Sequence, residues 1–283
     1  MKTSKKKLTV AAITRIAILL LFIIFLLFPF YWMLVTSLKT DRELYNLSYN
    51  PMTIRLGITF SHYAYLFKHT LFLRWFANTV VITVSVTAIT LIFSLLAAFS
   101  ITRLRFRGRT AFALGIFAAY LVPPTLLFIP LYSVLKVSGL IDSIWALVLT
   151  YPTFTIPFCT WLLMGYLKTI PKELDESATI DGASKLQTLT KIIVPLALPG
   201  LTTVALFSFT LSWSQFLYGV AFVSSSPEKP LAVGVVSELV RGDVFYWGSL
   251  MGGALLASVP VVVLYAFFAR YFISGLTAGA VKS

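Results

Sequence analysis

Few residues in this 283-residue chain have the type and spacing needed for covalent or metal chemistry. Cys159 is the only cysteine, so no intrachain disulfide can form and no thiolate metal cluster can be built. His62 and His69 share one polar segment with no carboxylate or cysteine at metal-ligand spacing, and they read as solvated side chains. Carboxylates concentrate in one place: Glu173, Asp175, Glu176 and Asp181 are four of the ten acidic residues. Catalysis needs a nucleophile with a base, paired carboxylates or a metal set, and no histidine or cysteine accompanies this cluster. The expectation is no catalytic residue and no metal ligand. A phosphate-cradling P-loop needs Gly-x4-Gly-Lys-Ser/Thr, and no Gly-Lys pair occurs. If ATP and Mg drive this protein, another chain must bind them.

What the acidic cluster can do is open a helix. Pro171 suits the first helical position, where its missing N–H is unneeded. Glu173, Asp175 and Glu176 then fall in the first turn or so, complementing the positive end of the helix dipole. Gly182 can stop the helix by adopting a positive φ without a Cβ penalty. Pro195 follows, and a long apolar run takes over. Leu174 and Ala178, four apart, share one face of this short helix. Such a segment is either a docking element or a plain connector.

The elements that must position it are apolar throughout. Hydrophobic residues make up 58% of the chain and charged residues 12%, about half the charge of a soluble domain. Six stretches longer than 20 residues carry no charge: 16–38, 75–102, 110–135, 143–167, 192–227 and 244–269. About 20 helical residues cross a hydrocarbon core about 30 Å thick, so the pattern predicts an all-α polytopic membrane protein with six transmembrane helices. The first stretch follows Lys2, Lys5, Lys6 and Lys7, but it outruns a signal-peptide core and ends near Tyr31 and Trp32. It reads as a retained helix. With an inner N-terminus, segments 1–15, 103–109, 168–191 and the tail from Arg270 hold 15 of the 23 Lys and Arg residues. That bias places both termini in the cytoplasm. It also accounts for the net charge of +13 through anionic lipid headgroups, with no nucleic acid involved. The whole chain, 1–283, reads as a single transmembrane domain with an outer loop at 39–75 and a cytoplasmic loop at 168–191. The Tyr/Phe-rich part of the outer loop suggests short interfacial helix. Pro123, Pro124 and Pro130 predict kinks in the third stretch.

Polar side chains inside apolar spans face a cavity or another helix. Asn78, Ser212, Ser214 and Gln215 qualify, with Trp213 and Tyr218 able to stack on a ring. They form a candidate substrate path, against the alternative of helix–helix hydrogen bonding. The six stretches contain no Asp, Glu, Lys, Arg or His. A proton-coupled secondary transporter therefore lacks its usual intramembrane relay, although Na⁺ coupling through carbonyls stays open.

Glu176-Ser177-Ala178-Thr179-Ile180-Asp181-Gly182-Ala183, with Pro195 beyond, resembles the EAA loop of bacterial ATP-binding-cassette (ABC) importer permeases. Ser177 stands where alanine is usual, and Val194 where leucine usually precedes Pro195; the spacing is intact. Val122-Pro123-Pro124 with Ile129-Pro130-Leu131-Tyr132, Trp145-Ala146-Leu147 and Tyr151-Pro152 are similar to carbohydrate-type permeases. Ser212-Trp213-Ser214-Gln215-Phe216 matches a segment usually written with Trp-Asn-Glu-Phe. The ending Gly275-Leu276-Thr277-Ala278-Gly279-Ala280-Val281-Lys282 is similar to the tail of the maltose-permease G-type subfamily.

This resemblance implies a type I importer permease fold in a bacterial or archaeal cytoplasmic membrane. It implies as partners an ABC ATPase dimer that binds ATP and Mg, a second permease subunit of F type, and an extracytoplasmic solute-binding protein. Carried over by motif, Glu176, Ser177, Ala178, Asp181, Gly182, Ala183 and Pro195 form the element that docks on the ATPases, and the tail from Gly275 also approaches them. The subfamily's solutes include maltose-like sugars, trehalose, polyols and glycerol phosphate.

Overall fold

The computed structural model describes residues 2–242 and 244–278, most of them helical. Four helices are long and apolar enough to cross a membrane: Ala12–Leu38, Phe72–Arg103, Ile144–Leu167 and Trp247–Ala269. Two bent pairs bring the count to six if each pair is one span. The chain's internal contacts gather in two units, 1–70 with 235–258 and 71–234 with 259–283.

In the first unit the helix Lys2–Leu38 leaves its apolar side chains uncovered from Ile13 to Phe28. Ile13, Leu21 and Phe25 are more than half exposed. An exposed patch of this kind marks an interaction surface, and lipid acyl chains satisfy it. The outer loop folds around a buried ion pair. The Glu43 carboxylate accepts backbone N–H bonds from Arg55 at 3.0 Å and Leu56 at 3.1 Å, with Lys39 Nζ 3.4 Å away. Lys39 Nζ also donates to the carbonyls of Asn50 and Pro51 at 2.8 and 3.1 Å. Burial opposes the charge on Glu43, but the Leu56 and Arg55 donors and the ammonium outweigh it and hold its pKa below the ordinary carboxylate value. The short helix expected in this loop is Ser61–His69. His62 corrects the expectation of two solvated histidines: it is buried, with Nε2 2.8 Å from the Lys39 carbonyl. Its polar sequence context hid this, because the partner is a backbone oxygen 23 residues away. His69 is exposed and stacks on Tyr65.

In the second unit the helix Phe72–Arg103 packs along Pro152–Leu167 and Leu198–Trp213. Ala98, Cys159, Leu163, Ile193 and Val204 fill one buried cluster, and Ile82, Val86, Leu147, Tyr151 and Tyr218 another. Thr90 and Thr155 join two of these helices through a 2.7 Å hydroxyl bond. Gly200 allows a close approach, since a Cβ there would sit 2.6 Å from Cγ of the Tyr166 ring. The third apolar stretch does not run as one rod. Arg109–Leu121 ends before Pro123, Pro124–Val137 restarts there, and the two bend by 97°. Two adjacent prolines supply no N–H to continue the first helix, and Pro124 suits the first position of the second. The fifth stretch is broken as well. Lys185–Leu196 meets Leu198–Trp213 at 80°, between Pro195 and Pro199, and Leu198–Trp213 ends at Ser214 before a short helix Leu217–Phe222.

Candidate functional site

The acidic segment folds as the helix Glu173–Ile180, with Glu173, Asp175 and Glu176 in its first turn. Gly182 adopts a φ of +78°. Its N–H donates to the Thr179 carbonyl at 3.1 Å, and the Ala183 N–H donates to the Ala178 carbonyl at 2.9 Å. These are the two bonds of a Schellman stop, in which the residue after the cap must be left-handed. Ser184 then opens the next helix through a capping box, accepting from the Gln187 N–H while its own N–H donates to Gln187 Oε1 at 2.7 Å. Two helix ends thus meet in a turn with their backbone groups satisfied, which fixes its shape without any partner.

The inner side of this helix is fastened to the spans. Arg103, the last residue of Phe72–Arg103, has a side chain only 3% exposed. Its Nη1 donates to Asp175 Oδ2 at 2.8 Å, and its Nη2 donates to the carbonyls of Leu167 and Ile170, both at 2.7 Å. One guanidinium thus ties the end of Pro152–Leu167 to the end of Phe72–Arg103 and to the acidic helix, using the fork geometry that lysine lacks. Ala178 of the same helix is buried. Much of the remaining surface is open: Glu176, Ser177, Asp181 and Gly182 are exposed, Ala183 is half-buried, and Ile180 is 86% exposed, with Glu176 and Ile180 bordering the same hollow as Arg103 and Asp175. Pro195 is not part of this face; it lies exposed on the limb Lys185–Leu196, next to the 80° bend.

The residues of the candidate substrate path scatter. Asn78 Nδ2 donates to the carbonyls of Pro227 and Lys229 at 2.8 and 3.0 Å, holding the loop before the helix Leu231–Leu239. Trp213 is buried, stacked on Phe209 and edge-on to Phe76. Tyr218 is fully buried and donates its hydroxyl to the Pro124 carbonyl at 3.1 Å, at the 97° bend. Ser214 bonds back to the Thr210 carbonyl, and Gln215 Oε1 accepts from the Leu217 N–H. Ser212 is buried with a hydroxyl that has no hydrogen-bond partner among the described residues. Ser212 to Tyr218 adjoin one another along the chain, and Asn78 stands apart, its amide nitrogen committed to the loop. The helix carrying Gly275 runs to Ala278, and the rest of the matching ending lies outside the described residues.

Residues 90–278 match the family described as the binding-protein-dependent transport system inner membrane component. The chain belongs to this family. It is 35% identical over 266 residues to the inner membrane ABC transporter permease protein YcjP of Escherichia coli (strain K12), covering 93% of this chain and 94% of YcjP. It is 32% identical over 265 residues to the trehalose/maltose transport system permease protein MalG of Thermococcus litoralis, covering 93% of this chain and 94% of MalG. In fold it matches a chain of the crystal structure of a bacterial ABC transporter involved in the import of the acidic polysaccharide alginate, with a TM-score of 0.79 at 23% identity. The match covers 93% of this chain and 96% of that one. The permease is thus a multi-pass transport component of the cytoplasmic membrane with the type I importer fold, and its relatives are ABC permease subunits.

Arg103 is the residue of this permease that sequence reasoning missed, because among Arg103, Arg105, Arg107 and Arg109 it read only as a membrane anchor. The signal was helix phase. Arg103 follows the buried Phe99 by four residues and so continues the packed face of its helix, whereas the other three lie beyond the helix end.

Proposed function

We propose that this chain is the transmembrane permease subunit of an ABC importer for a sugar or related polar solute, driven by ATP hydrolysis on separate subunits that dock on Glu173–Ala183. The observation that carries this reading is the division of the helix Glu173–Ile180 into a fastened side and an open side. An element that transmits force must be rigid towards its own chain and free towards its driver. Asp175 and Ala178 serve the first need; Glu176, Ser177, Asp181 and Gly182 serve the second. In this reading the ATPase pair holds ATP and Mg, and this chain holds no cofactor. The chain acts as one permease domain beside a second, non-identical permease subunit, and an extracytoplasmic binding protein delivers the solute. The name of the Thermococcus litoralis relative, a trehalose/maltose permease, supports a sugar cargo.

The test is reconstitution of the permease with its co-expressed ATPase and partner permease in proteoliposomes, with ATP-dependent uptake of labelled oligosaccharides, polyols and glycerol phosphate measured side by side. Glu176→Lys with Gly182→Asp is expected to abolish uptake while the chain still inserts at its normal level. Normal uptake by that variant would overturn the docking assignment. Uptake of glycerol phosphate in place of any sugar would overturn the cargo assignment and leave the docking assignment standing.

A further inference from the structure

Between the elbow that follows the second span and the helix Glu173–Ile180 lies a cavity of about 530 Å³. Five cations line it: Arg103, Arg105, Arg109, Lys172 and Lys185. Asp175 and Glu176 are the acids on its wall, so the lining carries a net charge of three positive, five cations less two carboxylates. Asp175 is already paired with Arg103. The buried Arg103 keeps Nε without a hydrogen-bond partner among the described residues. Arg105 and Lys172 make no side-chain hydrogen bond or ion pair among those residues. A wall of cations this uncompensated calls for an anion.

We propose that this cavity is a binding site for the phosphate headgroup of an anionic phospholipid of the cytoplasmic leaflet. Three features favour a lipid over a free phosphate. The site lies where one span ends, at Arg103, and the helix Arg109–Leu121 begins, which is headgroup depth on the side the basic residues mark as inner. Leu104 and Ile180 line the same cavity and offer apolar surface beside the cations. Basic pockets between spans on the cytoplasmic side take lipid headgroups, each basic residue contributing about a factor of five in affinity. Because Asp175 and Thr179 of the proposed docking helix share the wall, a lipid there would brace that helix along its fastened side. The site requires the inner orientation but not ATPase docking.

The test uses the assembled transporter, purified in nanodiscs of phosphatidylcholine with phosphatidylglycerol, and native mass spectrometry to count retained lipid. The variant is Arg105→Gln with Lys172→Gln, and Arg42→Gln with Arg55→Gln in the outer loop is the charge-matched control. The expected result is retention of phosphatidylglycerol over phosphatidylcholine by the wild type and the control, reduced roughly thirty-fold in affinity in the Arg105/Lys172 variant. Equal retention by wild type and variant would overturn the proposal. Inorganic phosphate stabilising the wild type in pure phosphatidylcholine, with no preference between the lipids, would overturn the lipid assignment. Loss of ATPase subunits from the variant, with lipid retention unchanged, would reassign the cations to protein docking. Failure of ATP-dependent uptake with normal lipid selectivity would count against the proposed transport function alone.

Discussion

The sharpest consequence of the turn geometry is at Gly182. A Cβ built there meets nothing within 4 Å, so a side chain faces no steric obstacle from neighbours. The whole penalty of Gly182→Ala then comes from holding an L-residue at φ +78°, which costs roughly 1–2 kcal/mol. An eight-residue helix is marginal by itself, so nothing local absorbs that penalty. The population with both Schellman bonds intact should fall about 5- to 30-fold relative to the open turn. Gly182→Asn offers a contrast, because asparagine tolerates the left-handed region better. Hydrogen exchange measured on peptides spanning 173–190 should show faster opening in the order Gly, Asn, Ala, and coupled uptake should fall in the same order at equal membrane levels. Identical exchange for Gly182→Ala and wild type would refute the argument that the positive φ holds this turn. Equal loss in the alanine and asparagine variants would refute the backbone explanation and point instead to a partner that needs the bare glycine surface.

Three further perturbations follow from the same structure. Arg103→Met leaves the carboxylate of Asp175 and two carbonyls without their donor; breaking a buried ion pair costs roughly 3–5 kcal/mol. With Asp175 17% exposed, the low end is expected, read as a lower unfolding temperature of the solubilised complex that Arg103→Lys restores only partly. Glu43, with its folded pKa below the usual 4.5, contributes stability that is fully present above pH 4.5 and lost as pH falls through the lower folded value. Hydrogen exchange of residues 50–58 should therefore be flat from pH 7 to pH 5 after correction for intrinsic rates and should rise in more acid solution; Glu43→Gln should abolish the transition. Gly200→Ala would drive a methyl against the Tyr166 ring and should cost about 1–3 kcal/mol by overpacking. Gly200→Ala with Tyr166→Leu should recover most of the loss in thermal stability, and no recovery would place the strain elsewhere.

The spans were legible because the hydrocarbon core demands long uncharged runs, and the sequence carries six of them. The stop at Gly182 was legible because few residues adopt a positive φ at no cost. The bends were legible as positions but not as angles. Pro123 and Pro124 mark where a helix must end, whereas the 97° turn depends on what the next segment packs against, including the Tyr218 hydroxyl on the Pro124 carbonyl. The partners of Asn78 and His62 were illegible for one shared reason. Each takes backbone carbonyls far along the chain as partners, and backbone acceptors leave no trace in residue type. Arg103 was obscured by company, since three neighbouring arginines share its type but not its helical phase.

The fork at Arg103 constrains how the helix Glu173–Ile180 can move. It closes the second span, holds the carbonyls of Leu167 at the end of the fourth and Ile170 just beyond it, and grips Asp175. A displacement of Glu173–Ile180 that keeps these bonds must carry the ends of both spans with it. One that breaks them leaves a guanidinium, a carboxylate and two carbonyls unpaired, at a cost of several kcal/mol. The rigid movement is therefore the cheaper one. On the other side of the turn the linkage passes through a bend. The capping box joins the turn to Lys185–Leu196, but that limb meets Leu198–Trp213 at 80°, and Pro199 has no N–H to offer the Pro195 carbonyl. If the proposed docking holds, a push on Glu173–Ile180 would thus reach the second and fourth spans as rigid displacement and the fifth span as a change of angle at Ala197. Two kinds of motion from one contact are what a path that opens on one side while closing on the other requires.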